Sequence, residues 1–257
     1  GHVIAADGMW SPVRKALGLD TNGYRGEWHA FRQYVTDVTG PAADELIVWF
    51  DEDLLPGYGW SFPLPGGRAN VGFGVQRDGA VSGKQLAAIW SSFLDRPHVA
   101  AALGPSATPE GRHLAWPIPA RVDRATLTSS AGRVLFVGDA AAATDVMTGE
   151  GIGQALLTGR LAATAIAAHG AAGGEHYARD VRRELVADHK MSSLLTRVLT
   201  HRLGADGVVA ILDHAGDWGR RNFARWMFED EPRAIAVTPR RWHRRFLARP
   251  GAYAITR

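Results

Sequence analysis

The chain has 257 residues, of which 46% are apolar and 21% charged, an ordinary balance for a globular protein able to bury a sizeable core. It has no cysteine, which excludes disulfides, thiolate metal sites and cysteine nucleophiles, and fits a cytoplasmic location. No apolar run reaches the roughly 18 residues of a membrane span, and no histidine pair has a metal-ligand spacing, so no metal is expected. The net charge of +3 is uneven: Trp218–Arg257 carries ten arginines against Glu229, Asp230 and Glu231, leaving the remainder acidic. That basic, tryptophan-bearing stretch reads as a solvated helical face or as a peripheral contact with an anionic membrane on the cytoplasmic side. Nothing in it points to nucleic acid, because no stacking platform or known motif accompanies the charge.

In chain order, Val3–Ala6 reads as a buried strand entering a turn at Asp7-Gly8. A chain that opens on a core strand predicts a missing upstream segment. A short helix over Ser11–Leu17 follows, with Ser11 as N-cap and Pro12 at the first helical position. His29–Val38, Glu45–Phe50, Tyr58–Phe62 and Ala69–Val75 are rich in β-branched and aromatic residues and are split by glycine and proline turns. They predict antiparallel strands, with a hairpin turn at Gly66-Gly67. Ser82 is placed as the cap of a helix running to Leu94, and Arg112–Trp116 as another strand.

Val134–Val137 is a short buried strand that ends in Gly138-Asp139. A glycine at a strand end lets backbone approach a ligand, and a carboxylate there can accept hydrogen bonds from sugar hydroxyls. Thr148-Gly149-Glu150-Gly151-Ile152 opens a long helix placed over Glu150–Ala168, with Ile152, Leu156, Gly159, Ala163 and Ile166 on one apolar face. Amides at such a helix start are unpaired and carry partial positive charge, which suits the anionic pyrimidine end of a reduced flavin. Beyond Gly170–Gly174 the pattern is helical, most clearly over Tyr177–Arg202.

Gly138-Asp139 followed by this helix start, with Asp7-Gly8 and Ser11-Pro12-Val13-Arg14 upstream, resembles the flavoprotein superfamily of glutathione-reductase-like fold that includes p-hydroxybenzoate hydroxylase. Thr148–Ile152 and the run Tyr58-Gly59-Trp60-Ser61-Phe62-Pro63, with Asn70-Val71-Gly72-Phe73-Gly74 after it, are similar to the geranylgeranyl reductase branch. The fold class implied is α/β (α+β): the later part of an FAD-binding domain, an inserted antiparallel β-sheet substrate domain and a helical C-terminal region. The boundaries expected are 1–22 and 119–170 for the FAD-binding domain, 23–118 for the sheet domain and 171–257 for the helical region. The resemblance places Asp139 on the ribityl chain and Asp7 with Gly8 on the nucleotide side. It gives Thr148, Gly149, Glu150, Gly151 and Ile152 to the flavin edge.

Tyr58, Trp60 and Phe62 alternate, so they share one strand face. With Pro63 they are expected either in the core or as a wall for a long apolar substrate. The cofactors implied are FAD and NAD(P)H or another electron donor, and the activity is reduction of carbon–carbon double bonds in an isoprenoid lipid. No catalytic proton donor can be singled out. Two departures stand out: Val146 occupies a position usually held by proline, and the G-x-G-x-x-G fingerprint that cradles a pyrophosphate is not within the chain. An aromatic monooxygenase or halogenase of the same superfamily, or a non-catalytic chain, are the alternatives. A serine hydrolase is disfavoured by the absence of a Gly-x-Ser-x-Gly elbow.

Overall fold

The computed structural model describes residues 1–19, 23–77 and 83–200, with isolated positions beyond. Ser82 and nearly all of the basic stretch Trp218–Arg257 lie outside the described residues, so the helix cap and the membrane contact expected there do too. The chain divides into two compact units. One comprises Gly1–Tyr24 and Pro119–Arg257, the other Arg25–Ile118.

The Arg25–Ile118 unit is built on a five-stranded antiparallel sheet. Its strands are β2 (Trp28–Thr36), β3 (Ile47–Trp49), β4 (Tyr58–Leu64), β5 (Arg68–Gln76) and β6 (Thr108–Ile118), in spatial order β3-β4-β5-β2-β6. Period-2 alternation divides the faces. Phe31 and Val35 of β2 and Val71, Phe73 and Val75 of β5 point to the side covered by helices α2 (Gly83–Phe93) and α3 (Pro97–Leu103). Phe73 anchors this core: it is wholly buried, stacks on Phe31 at 5.3 Å and meets Phe93 edge-on at 5.3 Å. The β4–β5 hairpin closes through Gly66 and Gly67, both at positive φ (79° and 67°), a conformation open to glycine at no steric cost.

Strand β6 is longer than the alternation predicts. Pro109 and Gly111 break the pattern, yet the strand continues past them through an irregularity opposite Gln33, whose Nε2 donates to Gly111 O at 2.7 Å. Its edge position is why prolines are tolerated.

In the other unit, β1 (Val3–Ala5) and β7 (Val134–Phe136) pair in parallel, Ala5 opposite Phe136. The expectation of a buried β1 is corrected: Val3 and Ile4 are 52% and 40% exposed, and only Ala5 is buried. Helix α1 (Pro12–Ala16) starts as predicted, Ser11 Oγ accepting from Arg14 N at 3.0 Å.

Helices α4 (Ile152–His169) and α5 (Gly173–Leu199) pack on each other, α4 also on the Gly138–Ala141 turn after β7 and α5 on β7 itself. Two corrections apply to α4. It begins at Ile152 rather than Glu150, and it buries Thr158, Ala162 and Ala165 while Ile152 and Leu156 stand 77% and 72% exposed. Bulky residues do not mark the packed face because this helix approaches the end of β7 so closely that a Cβ on Gly138 would sit 3.2 Å from the Ala155 Cβ. Only small side chains fit such an interface. Tyr177 of α5 is fully buried and donates its hydroxyl to Phe136 O, and burial pushes its phenol well above the ordinary range.

Candidate functional site

The parallel pairing of β1 with β7 brings Asp7-Gly8 and Gly138-Asp139 out at the same edge, at the C-terminal ends of adjacent strands. Val137 N donates to Ala5 O at 3.0 Å, which holds the two exits side by side. Strand ends of this kind are where α/β sheets bind ligands.

Asp7 is anchored by one oxygen: Oδ2 accepts from Val13 N at 3.0 Å. Its Oδ1 is buried without a hydrogen-bond partner. Arg14, in the segment after Asp7-Gly8, ties the two strand exits together. Its Nη2 donates to Thr126 O at 2.8 Å and to Ala140 O at 2.6 Å, and its guanidinium lies 4.0 Å from the Phe136 ring centroid. The sequence pattern flagged this arginine without assigning it a task; its position makes it a staple between α1 and the segment after β7.

Gly138 takes a positive φ of 57°, which an L side chain rarely adopts. Its N–H donates to Thr158 Oγ1 at 2.9 Å, and that hydroxyl donates in turn to the carbonyls of Gln154 and Ala155. Asp139 is partly buried. Burial raises its carboxyl above the usual range, opposed by the hydrogen bond that Thr144 Oγ1 donates to Oδ1 at 3.2 Å. Gly151 lies against this group: a Cβ there would stand 2.9 Å from Thr144 Oγ1 and 3.5 Å from Asp139 Oδ1. Asp139 and Gly151, twelve positions apart, are thus neighbours.

The loop between them is organised by Asp145, which the sequence reading missed. Its Oδ1 accepts from Met147 N at 3.0 Å, Thr148 N at 2.8 Å and Thr148 Oγ1 at 3.0 Å, while Oδ2 accepts from Ser192 Oγ of α5 at 2.8 Å. Backbone bonds close the same ring, Asp145 N to Glu150 O and Gly149 N to Asp145 O, each at 2.9 Å. The side chain closes an Asx turn with the Met147 and Thr148 amides, a bond that leaves no mark on residue type. Thr148 is 4% exposed and Gly149 has its amide bonded within the loop, so both shape the loop rather than face outward. Glu150 is exposed. Gly151 is the N-cap of α4, and no side chain caps that helix start. Ile152 turns its side chain to solvent.

These groups fit an FAD. The buried, unbonded Asp7 Oδ1 and the Asp139 carboxylate are acceptors for hydroxyls, and the uncapped first turn of α4 offers amides and a positive dipole end.

On the sheet unit, Tyr58, Trp60 and Phe62 share the face away from α2 and α3 and form a continuous row, with ring centroids 6.0 and 6.1 Å apart. Phe50 extends it at 6.3 Å from Tyr58. Their strand neighbours Gly59 and Ser61 face the core. Gly72 makes room for the row, since a Cβ there would lie 2.7 Å from Trp60 Cζ2. Pro63 follows on the same strand, half-buried. Leu114 and Trp116 of β6, on this face by register, are 46% and 53% exposed.

A family model for an FAD binding domain matches residues 1–177. A digeranylgeranylglycerophospholipid reductase of Methanoculleus marisnigri is 35% identical over 162 residues, covering 63% of this chain and 38% of the relative. The chain thus spans about two fifths of the length of the curated relatives it matches. Among solved structures, a geranylgeranyl bacteriochlorophyll reductase-like protein of Thermoplasma acidophilum superposes with a TM-score of 0.67 at 20% identity, covering 92% of this chain and 61% of that one. The flavin-dependent halogenase CmlS superposes with a TM-score of 0.52 at 20% identity, covering 78% of this chain and 38% of that one. At these identities the solved structures bear on the fold, which is that of FAD-binding flavoproteins of the monooxygenase type.

Proposed function

The chain belongs to the FAD binding domain family, and from that premise we propose that it is part of an oxidoreductase that reduces carbon–carbon double bonds in a geranylgeranyl or other polyprenyl lipid. The observation that carries the cofactor half is the β1–β7 pairing, which delivers Asp7-Gly8 and Gly138-Asp139 to one edge. The substrate half is supported by the similarity to the Methanoculleus reductase and by the aromatic row of β4.

When bound and reduced by NAD(P)H or another donor, FAD would supply a hydride to one carbon of the double bond, the other carbon taking a proton from water or an acid. The residues of the chain bind and orient. Asp139 accepts hydrogen bonds from the ribityl hydroxyls, and Asp7, through its unbonded Oδ1, from the nucleotide side, with Gly8 giving clearance. The backbone of Gly151 and the first-turn amides of α4, Ile152 among them, hold the pyrimidine edge, where the helix dipole contributes about 0.3–1 kcal/mol toward negative charge. Thr148, Gly149 and Glu150 keep that edge in shape through the Asp145 ring. Tyr58, Trp60, Phe62 and Pro63 give the polyprenyl chain an apolar wall. No helix of the described residues is long and apolar enough to cross a membrane.

The test is to load the protein with FAD, desalt, record the flavin bands, reduce with dithionite under nitrogen and add a geranylgeranyl lipid. Recovery of lipid heavier by one hydrogen molecule per double bond supports the proposal. Lipid recovered unchanged while the flavin stays reduced would refute it. Oxygen-dependent gain of an oxygen atom by an aromatic substrate would favour the monooxygenase reading, and halide- and oxygen-dependent replacement of a ring hydrogen by halogen the halogenase reading.

A further inference from the structure

The aromatic row of β4 does not stop at its own strand. Val48 of β3 lies directly across from Trp60 of β4, while Ile47 and Trp49 on either side of it pack against the core on the other face. By the same alternation Phe50, one residue beyond β3, returns to the open face beside Tyr58, with 6.3 Å between ring centroids. Phe50 stands at one end of the file and Phe62 at the other. It is 60% exposed, more than any other large apolar side chain described in the sheet unit.

The backbone around Phe50 is pinned. On one side Trp49 meets Phe93 edge-on at 6.3 Å. On the other, Arg96, just before α3, holds two carboxylates at once. Its Nη1 donates to Asp51 Oδ2 and, at 3.0 Å, to Asp53 Oδ1, and its Nη2 donates to Asp53 Oδ2 at 2.6 Å. His98 Nε2 lies 3.2 Å from the same Asp51 oxygen. The Arg96 and Asp51 side chains are only 17% and 19% exposed, so solvent screens this pair less than a surface pair. Leu54 completes the anchorage: its side chain is buried in the core, and its N–H donates to Asp51 O at 2.9 Å. Every anchor of the segment points inward and its one large apolar ring points outward. A free loop could turn such a ring inward; a clamped one holds it in water, at a cost that only an apolar occupant offsets.

We propose that Phe50 is a specificity-determining residue that reads the length of the hydrocarbon, and that Arg96 is the residue that positions it. The proposal rests on the isoprenoid reading above and adds which substrates that reading favours. A prenyl chain lying along Tyr58, Trp60 and Phe62 reaches Phe50 only if it is long enough. The fourth ring therefore rewards long chains and is silent toward short ones.

Calorimetry with geraniol, farnesol and geranylgeraniol, which share a headgroup and differ in length, tests it. The unaltered protein binds them more tightly as they lengthen. Phe50→Ala weakens geranylgeraniol about 10-fold, the scale of losing much of one buried aromatic contact, and leaves geraniol unchanged. Phe50→Leu keeps most of the affinity for the long chain. Arg96→Gln leaves the ring in place but frees its segment, so it narrows the preference for length while geraniol binding holds, which a general loss of fold would not do. Arg96→Lys restores part of that preference. If Phe50→Ala weakens geraniol and geranylgeraniol alike, or neither, Phe50 does not read length, and the proposal is overturned while the isoprenoid reading stands. If the unaltered protein binds none of the alcohols, both fall. If Arg96→Gln weakens all three alcohols equally, or none, the clamp serves the fold alone and the positioning role of Arg96 is refuted.

Discussion

The two units hold their candidate site residues in opposite ways. In the sheet unit, Tyr58, Trp60 and Phe62 are positioned from behind by dispersion and apolar burial: Phe31, Phe73, Trp90 and Phe93 interlock on the covered face and fix the strands whose other face carries the row. In the β1–β7 unit the candidate cofactor edge is positioned by directed polar bonds. Arg14 staples the strand exits, Thr158 receives the Gly138 amide, and Asp145 gathers four donors. A surface proposed to contact a flexible hydrocarbon needs only a firm backing. An edge proposed to present backbone amides and one carboxylate to a rigid cofactor needs each group fixed in angle, which non-directional burial does not supply.

If that contrast holds, the largest loss of stability comes from the sheet core and the largest loss of cofactor from the polar ring. Phe73→Ala empties a fully buried aromatic site and costs about 3–5 kcal/mol, read as a fall in denaturant midpoint. Asp145→Ala leaves the Met147 and Thr148 amides and the Ser192 hydroxyl without their acceptor, at about 1–3 kcal/mol for each buried group that finds no substitute. Flavin retained after desalting falls more than overall stability does. Asp145→Asn, which keeps Oδ1 as an acceptor, recovers most of it. A variant in which melting and flavin retention fall together would dissolve the distinction between the two units.

The sheet was the more legible unit for a physical reason. Alternation in β2, β4 and β5 records directly which side chains meet the core, and turn glycines mark where the strands reverse. It failed at β6, where the bulge around Gly111 interrupts the alternation while the ladder continues. The motifs Asp7-Gly8 and Gly138-Asp139 were visible as strand ends, and the pairing that unites them is the kind of long-range contact that a linear reading supplies only through resemblance. Asp145 was hidden because its partner Ser192 is 47 residues away and its nearer partners are backbone amides, which leave no mark on residue type. The face of α4 was misread because close packing there selects for smallness, and a search for large apolar residues finds the opposite face.

Smaller effects sharpen the same contrast. At Asp139, burial favours the neutral carboxyl, so the folded state binds its proton more tightly than the unfolded chain does. Stability from this group is fully present below the unfolded carboxyl range and is lost as pH rises through the raised value. Asp139→Asn therefore makes the flavin-free protein slightly more stable at neutral pH, an advantage that disappears in acid, as urea titrations at several pH values would show. If Asp139 holds the sugar hydroxyls, the same variant keeps one acceptor oxygen but loses the charge and the second oxygen, and it binds FAD about 10-fold more weakly. Loss of stability at neutral pH would mean that the carboxylate is held for the fold and not for a ligand.

The smallest effect expected is at the start of α4. Ile152→Gln and Leu156→Gln change residues that are 77% and 72% exposed and make no contribution to the core clusters, so each alters stability by no more than about 0.5 kcal/mol. Ala162→Leu, a change of similar size in the opposite sense, falls on the buried face of the same helix and costs about 1–3 kcal/mol through overpacking. Thermal melts of the three variants decide which face of α4 bears on the unit. If the glutamine variants proved the more damaging, the bulky face would be the packed one, and the close approach of Ala155 to Gly138 that holds the Gly138-Asp139 turn against the helix would have to be abandoned.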